Sequence, residues 1–261
     1  MLLKDKNAVV YGGGGSLGSV IARTFAREGA RVFVAGRTAR TLERVVEDIT
    51  AAGGHAEAAV LDALDERAVE AHARSVAERH GGLDVSLNLV PRGDVQGTPL
   101  IEMSVEDFVR PVVTGLTAGF ITARAAARHM TGRGCGVILA LDSGSAHVSP
   151  LMGGTCPADA ALDTFIRALA GEVGPSGVRA LGMWVAGVPE SLTVDKLAEV
   201  NPAMANEETL KGVLESLAAL RMLRRSPGVA EIAETAAFLA SDRAGGLTGT
   251  FVNVTGGMFT S

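Results

Sequence analysis

Two of the commonest proton-handling side chains are almost missing from this chain. One of its 261 residues is a tyrosine, Tyr11, and only Lys4, Lys6, Lys196 and Lys211 among its 24 lysines and arginines are lysines. Chemistry that needs a phenol therefore has one candidate, and chemistry that needs an ammonium group in the middle of the chain has none. Cysteine is scarce too: Cys135 and Cys156 follow no metal-ligand spacing. The N-terminal stretch MLLKDKNAVVYGG lacks an apolar run long enough for a signal peptide or a membrane span. With a net charge of -5 and arginines scattered rather than clustered, nothing suggests a surface for nucleic acid or anionic membrane. The expectation is a soluble, cytoplasmic protein with reduced thiols.

What is present is apolar and regular. At 47% hydrophobic content the chain can bury one sizeable core. No linker, low-complexity tract or repeat divides it, so residues 1–261 read as one domain. NAVVYG (7–12), RVFVAG (31–36), HAEAAVLD (55–62) and GLDVSLNLV (82–90) read as strands. Helical patterns at 16–30, 38–54 and 64–82 separate them. The second half continues with one or two helices over 104–131, a strand at 136–141, a helix at 158–174 and a strand at 177–185. An irregular stretch at 186–225 follows, then a helix at 228–242 and a strand at 250–257. This alternation predicts an α/β fold, a doubly wound parallel sheet of the Rossmann type.

Ligands of such sheets sit beyond the carboxyl ends of the strands. YGGGGSLG (11–18) lies there, between the first strand and the first helix. Its glycines let backbone N–H groups approach a pyrophosphate, and the helix N-terminus adds its positive dipole end. The second strand ends in AGRTAR, with Arg37 and Arg40 where a carboxylate would receive the ribose hydroxyl of NAD. An arginine fork suits the 2′-phosphate, so NADP(H) is favoured over NAD(H). A turn that holds no cofactor is the alternative.

Over nearly its whole length the chain resembles the short-chain dehydrogenase/reductase family. The resemblance is carried by LDALDE (61–66), GEVGPSGVRA (171–180) and LRRSPGVAEIAETAAFLASDRAGGLTGTFVNVTGG (223–257). It implies a hydride moved between nicotinamide and a carbonyl or alcohol carbon. It further implies a Tyr-x-x-x-Lys acid–base pair, a serine that polarises the carbonyl, and an asparagine that supports a proton relay. Ser143 matches the serine. The asparagine falls near Gly115, while the tyrosine and lysine fall at Thr155 and Asp159, or at Cys156 and Ala160 one residue along. The lone tyrosine packs instead at the end of the first strand. Substitute acids in view are Cys156, His147, Asp142 and Asp159, and Asp159 is also a candidate acceptor for ribose hydroxyls.

For the cofactor the resemblance implies Gly12, Gly15, Ser16, Leu17 and Gly18 at the pyrophosphate, Arg37 at the 2′-phosphate and Asp62 at the adenine. Asn88 of NLVP (88–91) and Ser191 of VAGVPES (185–191) would face the nicotinamide half. Three functions follow. The first is an NADP(H)-dependent oxidoreductase acting on a small apolar carbonyl or activated alkene, with a non-standard proton donor. The substrate would be held under the 186–225 loop by Met204, Leu217, Leu220 and Met222. The second is a non-redox cyclase, isomerase or lyase, and the third a cofactor-binding subunit or sensor without turnover. The helices at 104–131 and 158–174 are expected to pair copies of the chain into a tetramer or dimer.

Overall fold

The first apolar run becomes the middle of the sheet. In β1 (Asn7–Tyr11), Ala8 and Val10 enter one buried cluster, and Val9 and Tyr11 enter another. This is the two-residue alternation of a strand covered on both faces. The computed structural model describes residues 1–146, 149–200, 202 and 205–260. Within them β2 (Arg31–Gly36), β3 (His55–Val60), β4 (Val85–Asn88), β5 (Gly136–Asp142), β6 (Val178–Trp184) and β7 (Phe251–Asn253) complete a sheet in the order β3-β2-β1-β4-β5-β6-β7. Every pairing is parallel.

Helices α1 (Ser16–Arg27), α2 (Ala39–Ala51) and α8 (Val229–Ala240) bury Ile21, Phe25, Leu42, Ile49 and Ile232 against one face. Helices α3 (Glu66–His80), α4 (Val105–Thr131) and α5 (Thr155–Val173) bury Val69, Ala118, Leu162 and Ile166 against the other. The doubly wound α/β expectation is borne out. Strand order reverses between β1 and β4, which opens a crevice at their carboxyl ends.

Some elements differ from the sequence pattern. The stretch 104–131 is one helix that runs through Pro111. Proline removes one rung of the hydrogen-bond ladder there, while Ser104 caps the start by accepting the Asp107 N–H at 3.0 Å. Among its described residues, the 186–225 stretch holds two α-helices, α6 (Val194–Val200) and α7 (Glu207–Ala219). It is pinned by Arg221, which is buried and donates to the carbonyls of Thr255 at 2.8 Å, Ala186 at 2.5 Å and Gly187 at 3.2 Å. Leu220 and Met222 point into solvent rather than over a substrate, which corrects their expected role. Met204 lies outside the described residues, as does His147. No described helix is long and apolar enough to cross a membrane.

Candidate active site

Two cavities meet at the crevice. The first, about 310 Å³, is lined by Gly12, Gly14, Gly15, Arg37, Thr38 and Asp62 among others. The loop beneath it is tight: a Cβ on Gly18 would lie 2.3 Å from the Gly12 carbonyl oxygen, so only glycine lets α1 start this close to β1. The residue before α1, Gly15, offers no side-chain cap, so the first-turn N–H groups of Ser16, Leu17 and Gly18 are left to a ligand. Arg37 is exposed at the rim. Asp62 accepts the Leu64 N–H at 2.9 Å, which fixes its carboxylate at the cavity wall. The cradle and the rim cation fit the diphosphate and adenosine half of a nicotinamide dinucleotide.

The second cavity, about 270 Å³, shares the Leu89–Val90–Pro91 wall with the first. Leu17, Asn88, Leu139, Asp142, Ser143, Leu162 and Val185 line it, together with Arg92 and Asp94. Asn88 turns the chain after β4 by accepting the Val90 N–H at 3.0 Å. Ser143 follows β5 directly, so the sheet carries it to the crevice.

Behind this cavity lies a polar network centred on Asp159, which is fully buried. One carboxylate oxygen receives the Arg92 guanidinium at 2.6 Å. The other receives the Ser143 hydroxyl at 2.5 Å and N–H at 3.2 Å, and the Ser145 hydroxyl at 2.7 Å and N–H at 3.0 Å. Arg92 also reaches Asp94, at 3.2 and 3.3 Å, and Asp94 accepts the Thr155 hydroxyl at 2.8 Å. Burial lowers the Arg92 pKa, but the charges of Asp94 and Asp159 outweigh it and hold the guanidinium above its usual range.

Arg92 fits because residue 115 has no side chain. A Cβ on Gly115 would lie 2.5 Å from the Arg92 Cδ. Gly115→Asn is therefore expected to push Arg92 off Asp159 and destabilise the protein by about 1–3 kcal/mol, read from urea denaturation. An unchanged midpoint would show that Arg92 has another route to Asp159.

Asp142, at the end of β5, is the odd carboxyl. It is 3% exposed, its Oδ1 accepts the Gly144 N–H at 2.7 Å, and its Oδ2 is buried with no N–H or hydroxyl among the described residues donating to it. Burial, first, and the negative charge of Asp159, second, push its pKa up to about 9 against the pull of the Gly144 N–H. The Asp163 carboxyl pushes the same way, since two carboxyls can hydrogen-bond only through a proton that one of them keeps. Asp163 itself accepts the Trp184 indole N–H at 3.2 Å and pairs with Arg167 at 3.4 Å. Asp142 thus holds a proton at neutral pH.

Of the two registers open from sequence, the network occupies the one with Thr155 and Asp159. Cys156 turns away, its thiol 3.6 Å from the Ser149 carbonyl oxygen. Ser191 sits in a short turn with its hydroxyl on the Val188 carbonyl at 2.8 Å, apart from both cavities. Asp159 is sealed and its oxygens are taken, so ribose hydroxyls do not reach it, contrary to the expectation. The Ser143 hydroxyl is committed to Asp159 rather than aimed at a carbonyl. Tyr11 is buried and raised in pKa, chiefly by burial, as fits a packing residue. Arg92 and Asp94 were missed from sequence. The available signal was Asp159 itself, because a buried acid demands a cation.

A family model described as enoyl-(acyl carrier protein) reductase matches residues 13–259. L-rhamnose 1-dehydrogenase (NAD(P)(+)) of Azotobacter vinelandii is 32% identical, over 99% of this chain and 98% of its own length. The 7alpha-hydroxysteroid dehydrogenase of Escherichia coli (strain K12) is 28% identical, over 98% of this chain and 94% of its own. A solved NAD+-bound xylitol dehydrogenase superposes with a TM-score of 0.87 over 98% of this chain and 100% of that one; at 23% identity this is a likeness of fold.

Proposed function

The chain belongs to the short-chain dehydrogenase/reductase family, and from that premise we propose that it is an NADP(H)-dependent oxidoreductase. It reduces an activated double bond in a small and largely apolar substrate. A carboxylic acid replaces the phenol as proton donor. The observation that carries this reading is the pair of cavities joined at Leu89–Pro91, one with an uncapped helix N-terminus and an exposed arginine, the other with a neutral acid in its wall.

The bound dinucleotide would supply a hydride. This chain's residues do the rest. The N–H groups at the start of α1 hold the diphosphate, Arg37 pairs the 2′-phosphate and Asp62 meets the adenine. Asn88 and Val185 shape the nicotinamide side of the second cavity, which Leu139 and Leu162 keep apolar. Asp142 holds the proton and returns to its neutral form from solvent. Thr155, bonded to Asp94, has no part in proton transfer.

The same geometry favours a second reading at one point. Arg92 fills the space between Gly115 and Asp159, as a site that binds the cofactor without turnover would allow. NADPH consumption in a substrate screen separates the two. A cytoplasmic homotetramer or dimer is part of the proposal: Val109, Val113 and Phe120 leave an apolar stripe exposed on α4.

NADPH is expected to bind more tightly than NADH, and Arg37→Ala to weaken NADPH about tenfold, the loss of one charge-assisted contact of roughly 1.4 kcal/mol. NADH affinity should stay as it was. A fluorescence titration reads both, and equal affinities for the two nucleotides in the unaltered protein would remove the NADP(H) assignment.

A further inference from the structure

The reductase reading leaves open which double bond enters the second cavity, and the polar groups around it run opposite to the needs of a carbonyl. A carbonyl under reduction gathers negative charge on oxygen and needs donors or a cation facing it. The Ser143 and Ser145 hydroxyls both donate to the Asp159 carboxylate, which can only accept. Toward the cavity, Ser143 therefore presents lone pairs. Arg92, the one basic residue among the described residues lining the cavity, already lies between Asp94 and Asp159. Those two carboxylates against one guanidinium leave a negative charge over, while Asp163 and Arg167 cancel. Asp142 adds a buried carboxyl oxygen that no N–H or hydroxyl of the described residues reaches, its polar neighbour being the Asp163 carboxyl. Such a wall repels a forming alkoxide and attracts a cation that carries an N–H.

We propose, resting on the reductase reading above, that the substrate is a small, largely apolar imine, reduced as its iminium form. Asp142 gives its proton to the imine nitrogen: the carboxyl O–H bond breaks and an N–H bond forms. The resulting carboxylate faces the iminium, and the Ser143 oxygen accepts the new N–H. The C=N carbon then receives the hydride from the reduced nicotinamide. The π pair moves onto nitrogen, and the products are an amine and the oxidised cofactor. Water returns a proton to Asp142. No phenol is needed, because the proton is on nitrogen before the hydride arrives.

The test uses the whole protein with NADPH. 2-Methyl-1-pyrroline and the matched ketone cyclopentanone are offered as substrates, with loss of NADPH absorbance as the readout. Pyrrolidine is then titrated onto the protein with NADP+ by calorimetry near neutral pH, in two buffers of different ionisation heat. The imine is expected to be reduced at least about tenfold faster than the ketone. Pyrrolidinium binding should release a proton, because the cation draws Asp142 into its charged form. Asp142→Asn should abolish that release and weaken pyrrolidine about tenfold while leaving NADPH affinity unchanged, and Ser143→Ala should weaken pyrrolidine independently. A preference for the ketone, or pyrrolidine bound without proton release, overturns the imine proposal and leaves the reductase reading standing. Failure of NADPH to bind overturns both.

Discussion

Arg92→Gln is expected to destabilise the folded protein by about 3–5 kcal/mol, the cost of leaving one member of a buried ion pair behind. The partner left is Asp159, which has no exposed surface and, among the described residues, no other cation: its remaining contacts there are the hydroxyls and N–H groups of Ser143 and Ser145. Those four donors soften the loss but add no charge. Asp94 loses its cation too, at less cost, because its side chain is 22% exposed. Asp159→Asn in the Arg92→Gln background should recover more than half of the lost stability. Equilibrium urea denaturation of the two variants decides, and a loss in Arg92→Gln below about 1 kcal/mol, the range of surface pairs, would mean the pair is not sealed as described. The same geometry bears on restoring the family's acid–base pair. Thr155→Tyr with Asp159→Lys would set an ammonium against Arg92, so Arg92 must be removed with them.

The sheet was legible because strands covered on both faces read as short continuous apolar runs, and NAVVYG and RVFVAG are such runs. The glycine loop was legible because its spacing follows from what a phosphate cradle requires at the first turn of a helix. The catalytic wall was legible only as a set of absences. One tyrosine and a long gap without lysine removed the expected chemistry, and Thr155, Asp159 and Gly115 each looked like a loss. Their compensation is non-local. Arg92 lies 67 residues from Asp159 and 23 positions from the glycine that makes room for it, and no periodicity links the three. The Asp142 proton was hidden for a similar reason: its cause is burial beside Asp159 and Asp163, carboxyls brought from α5 to the end of β5. Ser191 shows the opposite failure, a plausible register position that its own turn, through the Val188 carbonyl, takes away from the cavity.

Asp142→Asn is expected to change how stability depends on pH more than any other single substitution at the site. The folded protein raises the pKa of this acid to about 9, through burial and the charge of Asp159, while in the unfolded chain it titrates in the ordinary carboxylate range, near 3.9. Between those values the folded state holds a proton that the unfolded state has released. Stability from this group is therefore fully present below the unfolded pKa. It is lost as pH rises, by up to about 1.4 kcal/mol per unit, until the folded carboxyl itself ionises. Asparagine keeps the Oδ1 acceptor for the Gly144 N–H and, like the neutral acid, offers a donor toward Asp163, but it has no proton to lose. The two proteins should have similar stability near pH 4, and the variant should become progressively the more stable toward pH 8. Denaturation midpoints across that window measure the difference directly. Parallel curves would mean that Asp142 is ionised throughout, and the neutral acid would have to be withdrawn from both the reductase mechanism and the imine proposal built on it.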